Sequence, residues 1–201
     1  MLLAQNISLE RSKIKIFNNI NISLGSNSIV VLKGKNGSGK TSLIKTLLNI
    51  LEPSHGSIFW RGKPINKNLY NFYKNVTYIS DKTSSLRQLS VNENINIWKK
   101  LSLSKINNNQ IQKVLSTLNI IKYENSRVSS LSLGERKKLE LVRLIIENKK
   151  IWILDEPFTN LDFESIDVIE QTFEDHSHNG GTILFSTHQD LNIKISEKVV
   201  L

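Results

Sequence analysis

The sequence contains no cysteine among its 201 residues. Disulfide frameworks, thiolate zinc sites and cysteine nucleophiles are therefore excluded. Long hydrophobic runs are also missing, since no stretch approaches the roughly 18 apolar residues of a membrane span. The first residues, MLLAQNISLERSK, do not combine a basic segment with an apolar one, so we expect no signal peptide. These absences predict a protein that is either soluble or held at a membrane by partners.

Acidic residues are fewer than basic ones: 18 Asp and Glu stand against 27 Lys and Arg, which gives a net charge of +9. Such an excess is typical of proteins that bind nucleic acid and of surfaces that face an anionic membrane. It also arises from a composition that is rich in Lys, Asn and Ile with scattered lysines. We favour this last interpretation and expect no nucleic-acid partner.

Apolar patterning predicts that strands and helices alternate towards both ends of the chain. The expected strands include residues 2–9, 14–24, 29–32, 151–154 and, as the last of them, 182–186. Between about 89 and 131 the pattern is instead helical and polar. The sequence therefore predicts an α/β fold, with one domain over residues 1–201 and a helical segment inserted into it.

Two histidines, His176 and His178, follow an amphipathic helical pattern. Their side chains would not align on a helix, and no partner ligands lie nearby in the sequence. We expect a solvated helix end here rather than a metal site.

A glycine-rich segment between a predicted strand and a predicted helix matches G-x-x-x-x-G-K-[ST] in full. The phosphate-binding candidates are Gly34, Lys35, Asn36, Gly37, Ser38, Gly39, Lys40 and Thr41. Glycines allow backbone N–H groups to surround phosphate oxygens, and the helix N-terminus adds partial positive charge. Lys40 is expected to reach the β- and γ-phosphates of ATP, and Thr41 to ligate Mg²⁺.

Two adjacent carboxylates, Asp155 and Glu156, follow the apolar run at 151–154. Ligands bind at the carboxyl ends of strands in α/β sheets. We expect Asp155 to hold Mg²⁺, directly or through water, and Glu156 to act as the general base on the attacking water.

The segment Leu131-Ser132-Leu133-Gly134-Glu135 contains S-x-x-E, a capping box that opens a helix. The pattern is typical of a purely structural helix start. The same capped N-terminus is also an anion site, so both interpretations remain open from the residues alone.

With these three motifs the chain resembles the ABC ATPases over nearly its full length. The resemblance implies a P-loop core with an N-terminal antiparallel β sub-lobe and an inserted helical subdomain. It implies that Ser132, in the signature segment, contacts the γ-phosphate of ATP bound by a second copy of the chain, and that Gly134 also belongs to the nucleotide-binding residues. Residues 159–162 resemble the D-loop, which crosses that dimer interface, and His188 resembles the switch histidine that contacts γ-phosphate.

Several positions depart from the pattern of these ATPases. In the signature L-S-G-G-Q, Leu133 replaces the first glycine and Glu135 the glutamine. Lys82 stands roughly where the Q-loop glutamine is expected; it could contact γ-phosphate, but we expect it to face solvent. Arg11 occupies the place of the aromatic residue that stacks on adenine. Because Leu133, Glu135 and Lys82 lie at positions that link the two ATP sites or the membrane partner, we expect the isolated chain to be monomeric and a poor ATPase.

Three further segments, 58–65, 151–159 and 180–191, are similar to the ATP-binding subunits of cytochrome c maturation systems, also called haem exporters. The similarity implies an ATP- and Mg²⁺-dependent subunit on the cytoplasmic face of the cell inner membrane, bound to integral-membrane subunits. Hydrolysis would power haem export or the release of haem from a periplasmic chaperone. The alternatives are the ATPase subunit of another small-cargo transporter and, less favoured, a soluble ABC ATPase acting on nucleic acid or ribosomes. Soluble ABC ATPases of that kind usually carry two nucleotide domains in one chain or a long coiled-coil insertion.

Overall fold

The computed structural model describes residues 1–201, which form two sheets and the helices that pack against them. The strands are β1 (Leu2–Arg11), β2 (Ile14–Leu24), β3 (Ser28–Lys33), β4 (His55–Trp60), β5 (Lys63–Pro64), β6 (Val76–Ile79), β7 (Ile151–Leu154), β8 (Thr182–Ser186) and β9 (Glu197–Val200). The α-helices are α1 (Lys40–Leu47), α2 (Leu69–Lys74), α3 (Val91–Leu101), α4 (Asn108–Thr117), α5 (Leu133–Glu147) and α6 (Phe163–His178). Short 3₁₀ turns lie at Ile65–Lys67, Ile121–Tyr123 and Val128–Ser130.

The first sheet is antiparallel, in the order β2-β1-β4-β5, and the second is parallel, in the order β6-β7-β8-β3-β9. Strands β7 and β8 lie inside the parallel sheet and are buried along their whole length. This burial explains their continuous apolar sequences, because a strand covered on both faces has no polar side. The expected α/β fold, with an antiparallel N-terminal sheet, is confirmed.

The hydrophobic core lies on the two faces of the parallel sheet. One cluster packs helices α3 to α6 against the first face, and the other packs α1, α2 and the antiparallel sheet against the second. Neighbouring residues of β7 belong to different clusters: Trp152 to the first and Ile153 to the second. Side chains alternate along a strand, so each central strand contributes to both halves of the core.

Three of the helices between β6 and β7 begin at a capping box. The pairs are Ser90 with Glu93, Asn107 with Gln110, and Ser132 with Glu135, for α3, α4 and α5 in turn. In each pair the first residue is the N-cap, and its side chain accepts a hydrogen bond from the backbone N–H of the second residue. The side chain of the second residue in turn accepts a hydrogen bond from the backbone N–H of the N-cap. These caps fix where the three helices between β6 and β7 start.

Strand β9 was not predicted from the sequence, in which the last expected strand was residues 182–186. Residues 197–200 pair in parallel with β3, yet only Val199 is buried among them. A strand with one buried side chain lacks the apolar run that identified the others.

The expectation of a solvated helix end at His176 was wrong. The imidazole stacks on the Trp152 indole, with ring centroids 3.6 Å apart and planes 5° from parallel. Its Nε2 lies 3.2 Å from the Lys150 carbonyl oxygen. His178, in contrast, is exposed, as expected.

His176 should make the fold less stable in mild acid. Burial lowers the pKa of His176 below its ordinary 6.5, although the Lys150 carbonyl partly opposes this. The unfolded chain therefore binds a proton more readily, and stability is lost as pH falls through about 6.5. We expect the Tm to fall by a few degrees more between pH 7.5 and 5.5 in the parent than in His176→Phe, which keeps the stack but cannot titrate. Parallel Tm profiles would contradict this account.

Candidate active site

The glycine-rich loop lies between the end of β3 and the start of α1. Gly37 and Gly39 have φ values of 81° and 101°, in the left-handed region that favours glycine. Gly39 is the N-cap of α1, and no side chain caps this helix. A Cβ at Gly39 would lie 2.8 Å from Ile16 Cγ2, so the loop is also closely packed. The first backbone N–H groups of α1 are thus free to bind an anion.

Lys40 folds back over this loop and is only 7% exposed. Its Nζ donates to the carbonyl oxygens of Gly34, at 2.9 Å, and Lys35, at 3.2 Å. The same atom lies 3.1 Å from His188 Nε2 and 3.9 Å from Glu156 Oε1. The structure therefore gathers Lys40, Glu156 and His188, three residues predicted from separate parts of the sequence.

Asp155 is 1% exposed at the end of β7, and both of its oxygens are hydrogen-bonded. Thr41 Oγ1 donates to one at 2.6 Å, and Ser186 Oγ donates to the other at 2.7 Å. Thr41 and Asp155 supply the hard oxygen ligands that Mg²⁺ prefers. Their proximity therefore fits the expected metal site.

Glu156 has a left-handed backbone, with a φ of 47°. Its N–H donates to Ser186 Oγ at 2.9 Å, which fixes the strained turn. Glu156 Oε1 is buried and makes no hydrogen bond, although His188 Nε2 lies 3.1 Å away. This oxygen can accept a proton from a bound water molecule.

A cavity of about 530 Å³ joins these groups. Gly37, Lys40 and Thr41 line it from the loop, and Asp155, Glu156 and His188 line it from the ends of β7 and β8. Its size falls in the range of small-molecule sites. The arrangement can hold a polyphosphate and a divalent cation beside the Glu156 carboxylate.

Asp81 also lines this cavity, although no motif in the sequence marks it as a site residue. Burial raises the pKa of Tyr78 to about 12, and the nearby carboxylates of Asp155 and Asp81 add to the shift. Lys82 is exposed, as expected, and lies in a neighbouring depression with Leu133. Asp81 rather than Lys82 is thus the residue of this loop that faces the phosphate site.

Ser132 and Gly134 lie outside the cavity. Ser132 caps α5 by accepting the Glu135 N–H at 3.2 Å, while its own N–H donates to Glu135 Oε2 at 2.8 Å. A Cβ at Gly134 would lie 2.5 Å from the Asn160 carbonyl oxygen, so this glycine permits close contact with residues 159–162. Leu133 is 64% exposed beside them. Within one chain the signature segment therefore does not reach the phosphate loop.

Glu135 adds negative charge to the start of α5. Hydrogen bonds from the Tyr123 side chain and from Ser132 lower the pKa of Glu135, although partial burial opposes the shift. Its carboxylate is therefore ionised at neutral pH, and it offsets part of the positive end of the helix. The capping interpretation and the anion-site interpretation both fit this geometry.

Arg11 lies exposed at the end of β1, next to the turn that leads to β2. The residues around the cavity include one apolar side chain, Ile16.

None of the helices combines the length and apolar composition that crossing a membrane requires.

Comparison with known proteins gives one consistent family. The ABC transporter family profile matches residues 17–159. The cytochrome c biogenesis ATP-binding export protein CcmA of Pasteurella multocida (strain Pm70) is 30% identical over 197 residues, which cover 98% of this chain and 92% of that protein. The CcmA protein of Idiomarina loihiensis is 33% identical over 193 residues, covering 96% of this chain and 88% of that protein.

Solved structures agree on the fold. An ATP-binding subunit of an ABC transporter aligns with a TM-score of 0.82 at 21% identity, covering 94% of this chain and 79% of that one. An ABC transporter ATP-binding protein from Pyrococcus furiosus aligns with a TM-score of 0.85 at 22% identity, covering 100% of this chain and 96% of that one.

Proposed function

The chain belongs to the ABC transporter ATPase family, and we propose that it is the ATP-hydrolysing subunit of a membrane complex for cytochrome c maturation. The observation that carries this proposal is its similarity, over nearly the whole length of both proteins, to relatives named for cytochrome c biogenesis. Hydrolysis would power haem export or the release of haem from a periplasmic chaperone.

The phosphates of ATP would lie on the backbone N–H groups of the loop and the N-terminus of α1. Lys40 would exchange its contacts with the Gly34 and Lys35 carbonyls for phosphate oxygens. Thr41 and Asp155 would hold Mg²⁺, which supplies positive charge to the phosphates during transfer. Glu156 would orient the attacking water and accept its proton, and His188 would contact the γ-phosphate.

Ser132 and Gly134 would complete the site of a second copy in a head-to-tail dimer. Support comes from their position outside the cavity of their own chain. The ionised Glu135 and the exposed Leu133 sit at the same edge. They favour a weak ATP-bound dimer that forms in the assembled complex.

The chain would be peripheral on the cytoplasmic face of the cell inner membrane, held by integral-membrane subunits. A conformational change driven by ATP acts only through contacts that differ between the two states. The contact surface we propose is the helical segment at about 89–131, with the loop around Lys82 at its base. No nucleic-acid partner belongs to this proposal.

Cells that lack this protein should lose c-type cytochromes, whose haem is covalently bound, and keep b-type haem proteins. The expected loss is complete, because the proposal gives this chain the ATPase step of maturation. Haem staining of denatured proteins measures c-type cytochromes, and difference spectra measure b-type ones. The parent gene should restore the c-type signal, whereas genes carrying Lys40→Ala or Glu156→Gln should not.

The deletion strain must contain no second maturation system. Normal c-type cytochromes in such a strain would reject the role in maturation and favour the ATPase subunit of another small-cargo transporter. The family assignment does not depend on this result.

A further inference from the structure

Glu140, in the middle of α5, is a charged residue that is only 1% exposed. Its Oε1 accepts the N–H groups of Ser84, at 2.7 Å, and Ser85, at 2.6 Å. Its Oε2 accepts the Ser84 hydroxyl at 2.9 Å and Arg143 Nη1 at 3.3 Å. A buried carboxylate is costly unless its oxygens are bonded, and here both are. The side chain therefore joins α5 to the connection that leads from β6 to α3.

Two more residues on the same face of α5 extend this junction. Arg143 Nε donates to Glu147 Oε1 at 2.8 Å, and Thr77 Oγ1, on β6, donates to Glu147 Oε2 at 2.8 Å. The Arg143 guanidinium also lies over the Trp98 ring of α3, 5.5 Å from its centroid. Residues three and four apart share a helix face, so α5 anchors β6, the connection and α3 together.

Glu140 is the main partner of the connection's main chain: besides it, Ser80 Oγ donates to the Lys82 carbonyl, and the Asn94 side chain bonds the N–H and carbonyl of Leu86. Residues 81–85 make no backbone–backbone hydrogen bond, and the N–H groups of Ser84 and Ser85 are bonded to Glu140 alone. Asp81 lies three residues before Ser84 and lines the phosphate cavity. The segment that carries Asp81 is thus held between the end of β6 and the contacts of Glu140 with Ser84 and Ser85.

We propose that Glu140 is a positioning residue for ATP hydrolysis, which holds the connection between β6 and α3 so that the Asp81 carboxylate stays at the wall of the phosphate cavity. From there Asp81 accepts hydrogen bonds from water beside Asp155 and Glu156. Because α5 begins at the signature segment, the same contacts join that segment to the cavity of its own chain. Loss of Glu140 should slow hydrolysis and leave nucleotide binding to the phosphate loop unchanged.

The test compares Glu140→Ala with Glu140→Gln in the full-length chain. Glutamine keeps a carbonyl oxygen for the two N–H groups, whereas alanine removes both bonds. We expect Glu140→Ala to lower the single-turnover rate of ATP hydrolysis about 10–100-fold, as displaced catalytic groups do, with unchanged affinity for ATP. Hydrogen exchange at Ser84 and Ser85 should be faster in Glu140→Ala. Glu140→Gln should restore most of the rate and the protection.

Thr77→Val is the matched control, since it removes a hydrogen bond from the far end of the same network. It should lower the Tm and leave the rate unchanged. Asp81→Asn should slow hydrolysis as Glu140→Ala does, and the double variant should be no slower than the slower single variant, because the two residues act through one position. If Glu140→Ala does not fold, Glu140→Asp takes its place in the test. Aspartate keeps the charge but is one methylene too short to reach both N–H groups, so this variant should also slow hydrolysis.

A parental rate in Glu140→Ala or Glu140→Asp, with faster exchange at Ser84 and Ser85, would overturn the proposal. An equal loss of rate in Thr77→Val would overturn it as well, since general destabilisation would then account for the effect. Both outcomes leave the role in cytochrome c maturation untouched, because the assay follows ATP alone.

Discussion

Replacing Glu156 with glutamine should stop ATP hydrolysis and leave ATP binding intact. Glutamine has the shape of glutamate but cannot take a proton from water at neutral pH. Glu156 Oε1 is buried in the cavity beside His188 Nε2, at 3.1 Å, and Lys40 Nζ, at 3.9 Å, where it can accept a proton from a water molecule held near the phosphates. General bases contribute about 10²–10⁴-fold to rate, and we expect a loss of that size.

The measurement pairs steady-state phosphate release with nucleotide affinity from a fluorescent ATP analogue. Glu164→Gln, an exposed residue in the first turn of α6, controls for the loss of one negative charge. Phosphate release at the parental rate by Glu156→Gln would show that another group accepts the proton. Because ATP persists in the variant, the dimer that depends on it should also last longer, which light scattering detects.

Lys40→Ala should remove most nucleotide binding and turnover together. The ammonium is almost fully buried in the phosphate loop, where a positive charge is screened little by water. A single electrostatic donor of this kind is worth about 10²–10³-fold in rate. We expect a loss of this size in kcat/KM, together with weaker binding of the fluorescent analogue.

Lys45→Ala is the matched control, because Lys45 belongs to the same helix and does not line the cavity. The thermal stability of both variants must be compared, since Lys40 also bonds two carbonyl groups of its own loop. Lys45→Ala should keep the parental rate. Parental turnover by Lys40→Ala in the assembled complex would show that the loop is not the phosphate site.

The sequence alone was sufficient to predict the groups whose spacing along the chain is imposed by phosphate chemistry. The loop from Gly34 to Thr41 and the pair Asp155-Glu156 are contiguous, and each follows a recognisable strand. The structure brings the two together, with Thr41 bonded to Asp155. Contiguous motifs can be recognised in a sequence because the chemistry requires their residues at fixed distances along the chain.

The residues that were missed act through contacts across the fold. Ser186 is bonded to Asp155 and to the Glu156 N–H, yet it ends an ordinary buried strand and no spacing marks it. Glu140 looks like one charged residue on an amphipathic helix, where an exposed position is the usual expectation. Its burial follows from the path of the loop around Ser84, which the one-dimensional pattern does not record.

The neighbours of strand β3 bear on how the protein is made. β3 leads directly into the phosphate loop, but it pairs with β8 on one side and β9 on the other, both from residues 182–200. A ribosome releases β3 early, and both of its edges stay unpaired until residues 182–200 have been synthesised. Pairings between such distant segments form slowly, and open edges invite association with other chains. ATP should therefore be captured only after residues 182–200 have emerged, and the nascent chain should need protection by chaperones until then.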